Sequence, residues 1–331
     1  MRSSEAIYAG FAGVYDSLMS DVPYEDWADR IEAWIRAYGV SAPARPDMPE
    51  RACVPLSCAR GQKRNGADGK TGARSRGREK ADGDPSAEEA LLAEERDLVV
   101  DLGCGTGTLT GILADRGYDL MGIDLSPEML MIAQGKNAGR DKPIPYICQD
   151  MRALDLYCTA GTFLSLCDSI NYLTRIADLI RVFRLVNRFL YPEGLFLFDF
   201  HTKHYYRDVL GTRLIGETGE EISYLWDNTW SEKRSLNRCE LTLFAREDLA
   251  NRTGGPAAGR RGGSDGREGS RRYVRVEETH LQRGYLLSEM KQYLARSGLR
   301  FLAAMDMDTG GRPHARSERI LVAAGESGKK R

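Results

Sequence analysis

The residues with the clearest chemical content lie between Asp97 and Asp124, in the run DLVVDLGCGTGTLTGILADRGYDLMGID. Gly103, Gly105 and Gly107 alternate directly after an apolar stretch, and Asp101 and Asp124 bracket them. Glycine at a tight turn lets backbone N–H groups approach a ligand with no Cβ in the way. An acid at the tip of the following strand accepts hydrogen bonds from both hydroxyls of a ribose. Asp124 lies 17 residues beyond Gly107, close to the spacing that role needs. The pattern therefore suits an adenosine-containing cofactor. Asp101, two residues before the first glycine, narrows the choice. A dinucleotide fold holds a pyrophosphate against a helix N-terminus, and a carboxylate beside it opposes that phosphate. The same carboxylate suits a cationic amine, which points to S-adenosylmethionine, a molecule with an amino group, a sulfonium and no phosphate.

Such a turn must be held by a strand, a helix and a second strand. Leu98–Leu102 is a short apolar run of the kind found in a buried strand. Thr108–Arg116 has helical periodicity with Leu109, Ile112 and Leu113 inward, and Asp119–Ile123 reads as the second strand, ending at Asp124. Upstream, Ala6–Ser20 carries Ile7, Phe11, Val14, Tyr15 and Leu18 at helical spacing. A second helix is predicted from Tyr24 to Tyr38, started by Pro23 and stopped by Gly39, with Trp27, Ile31, Trp34 and Ile35 on its apolar face. Ser86–Glu89 has the form of a capping box that starts a short helix through Leu91 and Leu92.

With these residues in place, the chain resembles the class I S-adenosylmethionine-dependent methyltransferases, and Val14-Tyr15-Asp16 and Asp21-Val22-Pro23-Tyr24 also resemble a bacterial methyltransferase-domain branch of them, of unassigned substrate. Asp101–Gly107 resembles the first motif of that family and Gly122–Ser126 the second. The resemblance continues through Gln149-Asp150-Met151 after a strand at Pro145–Cys148, through Phe163–Tyr172, and through Pro192–Phe200. In that last piece Glu193 stands where the family has a glycine. Gly161 stands where relatives often carry an acid, a difference expected to affect the start of the fourth strand. The resemblance implies an α/β fold: a Rossmann-like seven-stranded sheet with helices on both faces, N-terminal helices and an inserted antiparallel β lid. It also implies roles. Gly103, Cys104, Gly105 and Gly107 form the turn, the first three lining the methionine part of the cofactor, with Asp101 near its amino group. Asp124 holds the ribose, and Leu125 and Met129 flank the adenine. Asp150 accepts from the adenine amino group and Met151 packs on the ring. Cys167 and Asp168 face the sulfonium, and Tyr15 covers it, where a ring gains from cation–π attraction. Simpler structural roles stand beside three of these: a turn cap for Asp150, and core packing for Met129 and Tyr15. Cys104 reads as a small filler of the motif, not a nucleophile.

Direct displacement of methyl from sulfur needs mainly alignment, and a base only where the nucleophile arrives protonated. Of the four histidines, His201 follows the fifth strand at the carboxyl edge and is the base candidate, against an ordinary core or surface role; Tyr172 and Asn171 are placed to touch substrate. No metal cluster is apparent, and Cys53 and Cys58 lack the partners that would complete a zinc site. The Asn/Asp-Pro-Pro-Tyr signature of enzymes that methylate exocyclic base amines is absent after Phe163.

Charge and composition set the outer limits. The chain has 331 residues and a formal net charge of −1, which argues against nucleic-acid binding by bulk positive charge. That balance is uneven. The stretches 41–85 and 251–272 contain no Phe, Trp or Tyr, carry +4 each, and read as disordered insertions; the remainder carries about −9. The organisation predicted is N-terminal helices over 1–40, an insertion over 41–85, a Rossmann-like core over 86–210, an antiparallel lid over 211–286 holding the 251–272 insertion, and a final helix and strand pair over 287–331. The lid strands are expected at Ile222–Trp230, Arg238–Ala245 and Tyr273–Tyr285, and the final elements at Ser288–Arg296, Phe301–Met305 and Arg319–Ala323. No stretch has the length of a membrane span or signal segment, and seven scattered cysteines without a CxxC pair argue for the cytoplasm. The best-supported activity is methyl transfer to a small or medium molecule. The alternatives are an RNA or protein methyltransferase tethered by the basic insertions, a non-catalytic S-adenosylmethionine-binding protein and a nicotinamide-dependent enzyme. Nucleic-acid contact could come only through the insertions, and the oligomeric state is left open.

Overall fold

A computed structural model of the chain describes residues 12–44, 87–247 and 272–329. Ala6–Phe11, Ser86 of the capping box, Cys53 and Cys58, and nearly all of both insertions lie outside the described residues.

Short apolar runs separated by helical segments dictate the larger sheet. Strands β1 (Leu98–Leu102), β2 (Asp119–Asp124), β3 (Tyr146–Cys148), β4 (Ala160–Ser165) and β5 (Leu190–His201) pair in parallel, in the order β5-β4-β1-β2-β3. Antiparallel strands β10 (Leu299–Asp306) and β11 (Arg319–Glu326) complete the sheet on the β5 side, giving seven strands. Every residue of β4 is buried, as expected of a central parallel strand covered on both faces.

Helices supply that cover. On one face, Trp27, Ile31 and Ile35 of α2 (Tyr24–Tyr38) and Leu109 and Leu113 of α4 (Thr108–Asp115) pack on Val99, Leu164, Leu197 and Leu321. On the other, Leu179, Val182, Phe183 and Val186 of α6 (Ile176–Phe189) and Met290 and Leu294 of α7 (Leu287–Arg296) pack on Val100, Phe163, Phe196 and Phe198. Helix α3 (Ala87–Asp97) lies against β4 and β5, α5 (Pro127–Lys136) against β2 and β3, and α1 (Ala12–Leu18) against α5. Ser126 caps α5 by accepting from the Met129 N–H at 3.2 Å, with Pro127 at the first helical position.

Between β5 and α7 the chain forms a second, four-stranded antiparallel sheet: β6 (Arg213–Thr218), β7 (Ile222–Ser231), β8 (Leu236–Arg246) and β9 (Tyr273–Arg283). Strands β7, β8 and β9 follow the alternation in the sequence. Strand β6 was not anticipated, because as an edge strand it is mostly exposed and lacks a hydrophobic alternation. One face of β8 packs Cys239, Leu241, Leu243 and Ala245 against Ala12 and Val14 of α1 and Met129 of α5. That packing joins the second sheet to helices α1 and α5.

Three details correct or sharpen the sequence reading. The stretch expected to be disordered from residue 41 begins with packed chain. Ser41 is buried, its hydroxyl 2.8 Å from the Thr162 hydroxyl and donating to the Arg96 carbonyl at 3.1 Å, and the Ala44 N–H donates to the Gly117 carbonyl at 2.8 Å. Composition averaged over the whole insertion hid these four residues. Gly161 explains itself at the same place. A Cβ on it would lie 1.7 Å from the Arg96 carbonyl oxygen and 2.5 Å from the Ser41 hydroxyl, so β4 begins only where this side chain is missing. Glu193, standing where relatives have glycine, adopts φ +64° and donates its N–H to the Glu326 carboxylate at 3.1 Å.

Candidate active site

The carboxyl edge of the larger sheet opens into a cleft of about 830 Å³, within the range typical of small-molecule sites. Its floor is the turn after β1. Gly103, Gly105 and Gly107 all take left-handed φ values of 78°, 54° and 71°, which L side chains adopt only with strain. The N–H groups of Gly103 and Cys104 donate to the Ile123 carbonyl at 2.7 and 3.1 Å, tying the turn to β2. A Cβ built on Gly105 meets nothing within 4 Å; the backbone there faces open space.

Two acids flank the turn. Asp124, at the end of β2, accepts from the Gly105 N–H at 2.8 Å through one oxygen and from the Ser126 N–H at 2.9 Å through the other. Burial nonetheless keeps its pKa above the ordinary value, those backbone donors opposing the shift. Asp101 is buried and accepts from the Thr110 hydroxyl at 2.7 Å. Burial raises its pKa to about 6, the Thr110 hydrogen bond opposing and the Asp124 charge adding to the rise. A buried acid pair with one full-time donor hydroxyl is poised for a cationic ligand and repels a pyrophosphate. The Gly105 N–H, which a dinucleotide site would aim at phosphate, points instead at Asp124.

The structure brings most of the sequence-selected residues to this cleft. Asp101, Gly103, Cys104, Gly105 and Asp124 line its floor; Leu125, Met129, Asp150 and Met151 line one wall; Tyr15, Cys167 and Tyr172 line the other end. Met129 does both jobs weighed for it, being buried in the α1–β8 cluster as well as facing the cleft. Asp150 also caps the turn that follows, accepting from the Arg152 N–H at 2.8 Å. Its two oxygens further take hydrogen bonds from the Arg152 guanidinium, the shortest at 2.6 Å. Burial raises its pKa and these bonds lower it by more, leaving it below the ordinary carboxylate range. Cys104 keeps its proton, since burial and the charges of Asp101 and Asp124 raise its pKa; this fits a filler and not a nucleophile.

Gly107 forms the turn, as the left-handed residue from which α4 starts, and stands outside the cleft lining. Three readings need correction. Asp168 is turned away from it, with one oxygen accepting from Gln282 of β9 at 2.7 Å and the other from Arg319 of β11 at 3.2 Å. Burial raises its pKa to about 6 against the pull of Arg319. Asn171 is fully buried, donating to the His201 and Arg283 carbonyls at 2.9 and 2.7 Å and accepting from the His201 N–H at 2.9 Å. His201 is also outside the cleft lining. Its Nε2 lies 2.7 Å from the Arg319 guanidinium and its ring stacks on Tyr205 at 3.8 Å. Burial and then the Arg319 charge hold its pKa well below the ordinary value. An arginine has only donors, so this nitrogen's lone pair is used by Arg319, and His201 is a structural residue of that network.

Residues not singled out in the sequence hold the site in shape. Arg319 reaches Asp199 at 2.7 Å as well as Asp168, and Asp199 accepts from the Asp168 N–H at 2.8 Å. These bonds fix Cys167 and Asp168 in the left-handed region, at φ 55° and 53°, where the chain leaves β4. Asp16 ties α1 to the glycine turn by accepting from Thr106 at 2.6 Å and pairing with Lys136 at 2.7 Å. That contact sets Tyr15 over the cleft, where burial raises its phenol pKa further above neutrality, as do Cys167, Tyr24 and Tyr172 nearby. These partners are distant in sequence, so no local spacing marked them. Among the described residues no group of His, Cys, Asp and Glu could hold a metal ion, and no helix is long and apolar enough to cross a membrane.

Comparison with known proteins agrees with this geometry. Residues 99–194 match the family model described as a methyltransferase domain. The chain is 30% identical over 325 residues to the candidate methyltransferase YqeM of Bacillus subtilis (strain 168), covering 97% of this chain and 98% of that protein. Its fold is similar to a crystal structure of an S-adenosylmethionine-dependent methyltransferase from Clostridium acetobutylicum ATCC 824, with a TM-score of 0.67, 23% identity, and 97% and 99% of the two chains covered. It is also similar to the CcbJ methyltransferase from Streptomyces caelestis, with a TM-score of 0.56, 18% identity, and 72% and 86% covered. The left-handed glycine turn, the two buried acids and the full-length likeness lead to one conclusion: the chain belongs to the class I S-adenosylmethionine-dependent methyltransferases, and S-adenosylmethionine is its cofactor.

Proposed function

We propose that this enzyme transfers a methyl group by direct displacement to a small or medium-sized acceptor, and that the second sheet serves as a lid over the reacting end of the cleft. The observation that carries this reading is the composition of the walls. The cleft that begins at Gly103 and Asp124 continues to Tyr15 of α1, Cys167 and Tyr172, and β9 contributes Thr279 and Leu281. Cofactor floor and second-sheet wall thus share one space, and its volume suits a nucleoside plus a modest acceptor better than an extended polymer.

The cofactor supplies a methyl carbon already activated by a positive sulfur. The chain's own residues bind and align. In this reading Asp124 takes the ribose hydroxyls, Asp101 faces the amino group, Leu125, Met129 and Met151 enclose the adenine with Asp150 at its edge, and Gly103, Cys104 and Gly105 line the methionine portion. Tyr15 and Cys167 border the methyl end. Orienting two reactants in this way removes much of the barrier of a bimolecular displacement.

A transfer screen with tritiated S-adenosylmethionine tests the proposal, with acceptors drawn from cell extract separated into metabolites, RNA and protein. Label is expected in the metabolite fraction. Label confined to RNA or protein would overturn the small-acceptor reading.

A further inference from the structure

A buried polar chain leads away from the cleft wall at Tyr172. The Tyr172 hydroxyl lies 3.1 Å from Nδ1 of His280, and Nε2 of the same ring lies 3.3 Å from a carboxylate oxygen of Glu278. The His280 and Glu278 side chains are only 7% and 5% exposed. Residues 278 and 280 stand two apart on β9, so they share one face of that strand. The short 3-10 turn Ser169–Tyr172 after β4 brings the tyrosine to them, with the two rings edge to face at 6.0 Å. Tyr172 itself lines the cleft, at the end where Tyr15 and Cys167 gather.

The order of groups favours one direction for the proton. The Glu278 carboxylate only accepts and lies within ion-pairing distance of Nε2, which favours the tautomer with its hydrogen on that nitrogen. Nδ1 then presents a lone pair, and the phenol donates to it. This is the acid–imidazole–hydroxyl order of nucleophilic triads, in which the imidazole takes the hydroxyl's proton, here on a tyrosine that lines the cleft. His201 offers no such group, since Arg319 occupies its Nε2.

We propose that Tyr172 removes the proton of the methyl acceptor, with His280 and Glu278 as positioning residues that receive it in turn. The proposal rests on the methyltransferase reading above, and it specifies the acceptor as an amine or hydroxyl that arrives carrying a proton. The acceptor's lone pair forms the new bond to the methyl carbon, and the carbon–sulfur pair returns to sulfur, cancelling its charge and leaving S-adenosylhomocysteine. The acceptor's proton passes to the Tyr172 oxygen as the phenolic proton passes to Nδ1 of His280. The resulting imidazolium is balanced by Glu278 and returns its proton to water through the same chain.

The test combines nitrogen-15 NMR of the wild-type protein with transfer assays. Long-range correlations of the His280 ring are expected to show Nε2 protonated and Nδ1 as acceptor, with the Nδ1 resonance moving in Tyr172→Phe. A ring protonated on Nδ1 would overturn the proposal whatever the acceptor. In tritiated-methyl transfer to the deproteinised small-molecule fraction of extract, Tyr172→Phe and His280→Gln are each expected to lose about 100-fold in rate. Their double variant should lose no more than either alone, because the residues act as one unit. S-adenosylhomocysteine affinity, measured by calorimetry, should stay within about threefold in all three. Full-rate transfer by either single variant, or losses that multiply, would overturn the relay. Failure of the wild type to bind S-adenosylhomocysteine would instead overturn the functional reading on which it rests.

Discussion

At the residue scale, two acids stand where a cationic nucleoside can meet them. Asp124 holds the turn through its bonds to Gly105 and Ser126, and in the proposed complex it also takes the ribose. Asp124→Ala is expected to weaken S-adenosylhomocysteine binding at least about tenfold, the scale of one or two charge-assisted hydrogen bonds; unchanged affinity in calorimetry would remove the ribose assignment. Asp101 adds a pH dependence. Its pKa of about 6 is raised by burial, so the folded protein holds that proton more tightly than the unfolded chain does. Its contribution to folding stability is therefore complete below the unfolded pKa and declines as pH rises through about 6. Cofactor binding runs the opposite way, because a cationic amine favours the carboxylate. Affinity should climb as pH rises toward 6 and level off above it, and Asp101→Asn should flatten that profile. The glycines and acids were legible in the sequence because their spacing is local. Tyr172 was also legible, but its partners His280 and Glu278, 108 and 106 positions away, become visible only when β9 is laid beside the turn after β4.

At the element scale, the carboxyl ends of β4 and β5 and the amino end of the antiparallel β11 are bound into one network. Arg319 on β11 joins Asp199 on β5 to Asp168 after β4, and His201 takes another of its donors. Asp199 is fully buried. Arg319→Ala would strand both carboxylates, which costs about 3–5 kcal/mol for a buried pair that loses one partner; urea denaturation should show a loss of that order. A loss below about 1 kcal/mol would mean the pair is solvated. Gly161→Ala probes the start of β4. The added methyl meets the Arg96 backbone, so a destabilisation of about 1–3 kcal/mol or more is expected from overpacking. Strands β1 and β2 and helices α2 and α4 could be read from periodicity, since each buries an apolar run or stripe, whereas β4 was placed by the family resemblance. Strand β6 could not, because an exposed edge leaves no hydrophobic alternation in Arg213–Thr218. The packing of Ser41–Ala44 was also hidden, because it rests on single hydrogen bonds and not on composition.

For the whole molecule, the net charge of −1 is the sum of an acidic body and two basic, ring-free stretches. The two chain ends that flank the second stretch lie next to each other. Arg246 pairs with Tyr273 across β8 and β9, and the Glu247 N–H donates to the Arg272 carbonyl at 3.0 Å. Shortening a connection between adjacent strands changes loop-closure entropy only slowly with length. Replacing 251–272 with a short turn should therefore leave S-adenosylhomocysteine affinity within about twofold and small-acceptor transfer intact. A salt-sensitive RNA affinity that disappears with that segment would favour the tethered alternative. The chemistry is placed on the body, in the cleft between the glycine turn and the second sheet, where S-adenosylmethionine is proposed to sit. Calorimetric titration of the full chain with S-adenosylhomocysteine, and separately with NAD, checks that placement. Saturable one-to-one binding of S-adenosylhomocysteine is expected, and none of NAD. Saturable NAD binding without S-adenosylhomocysteine binding would contradict it.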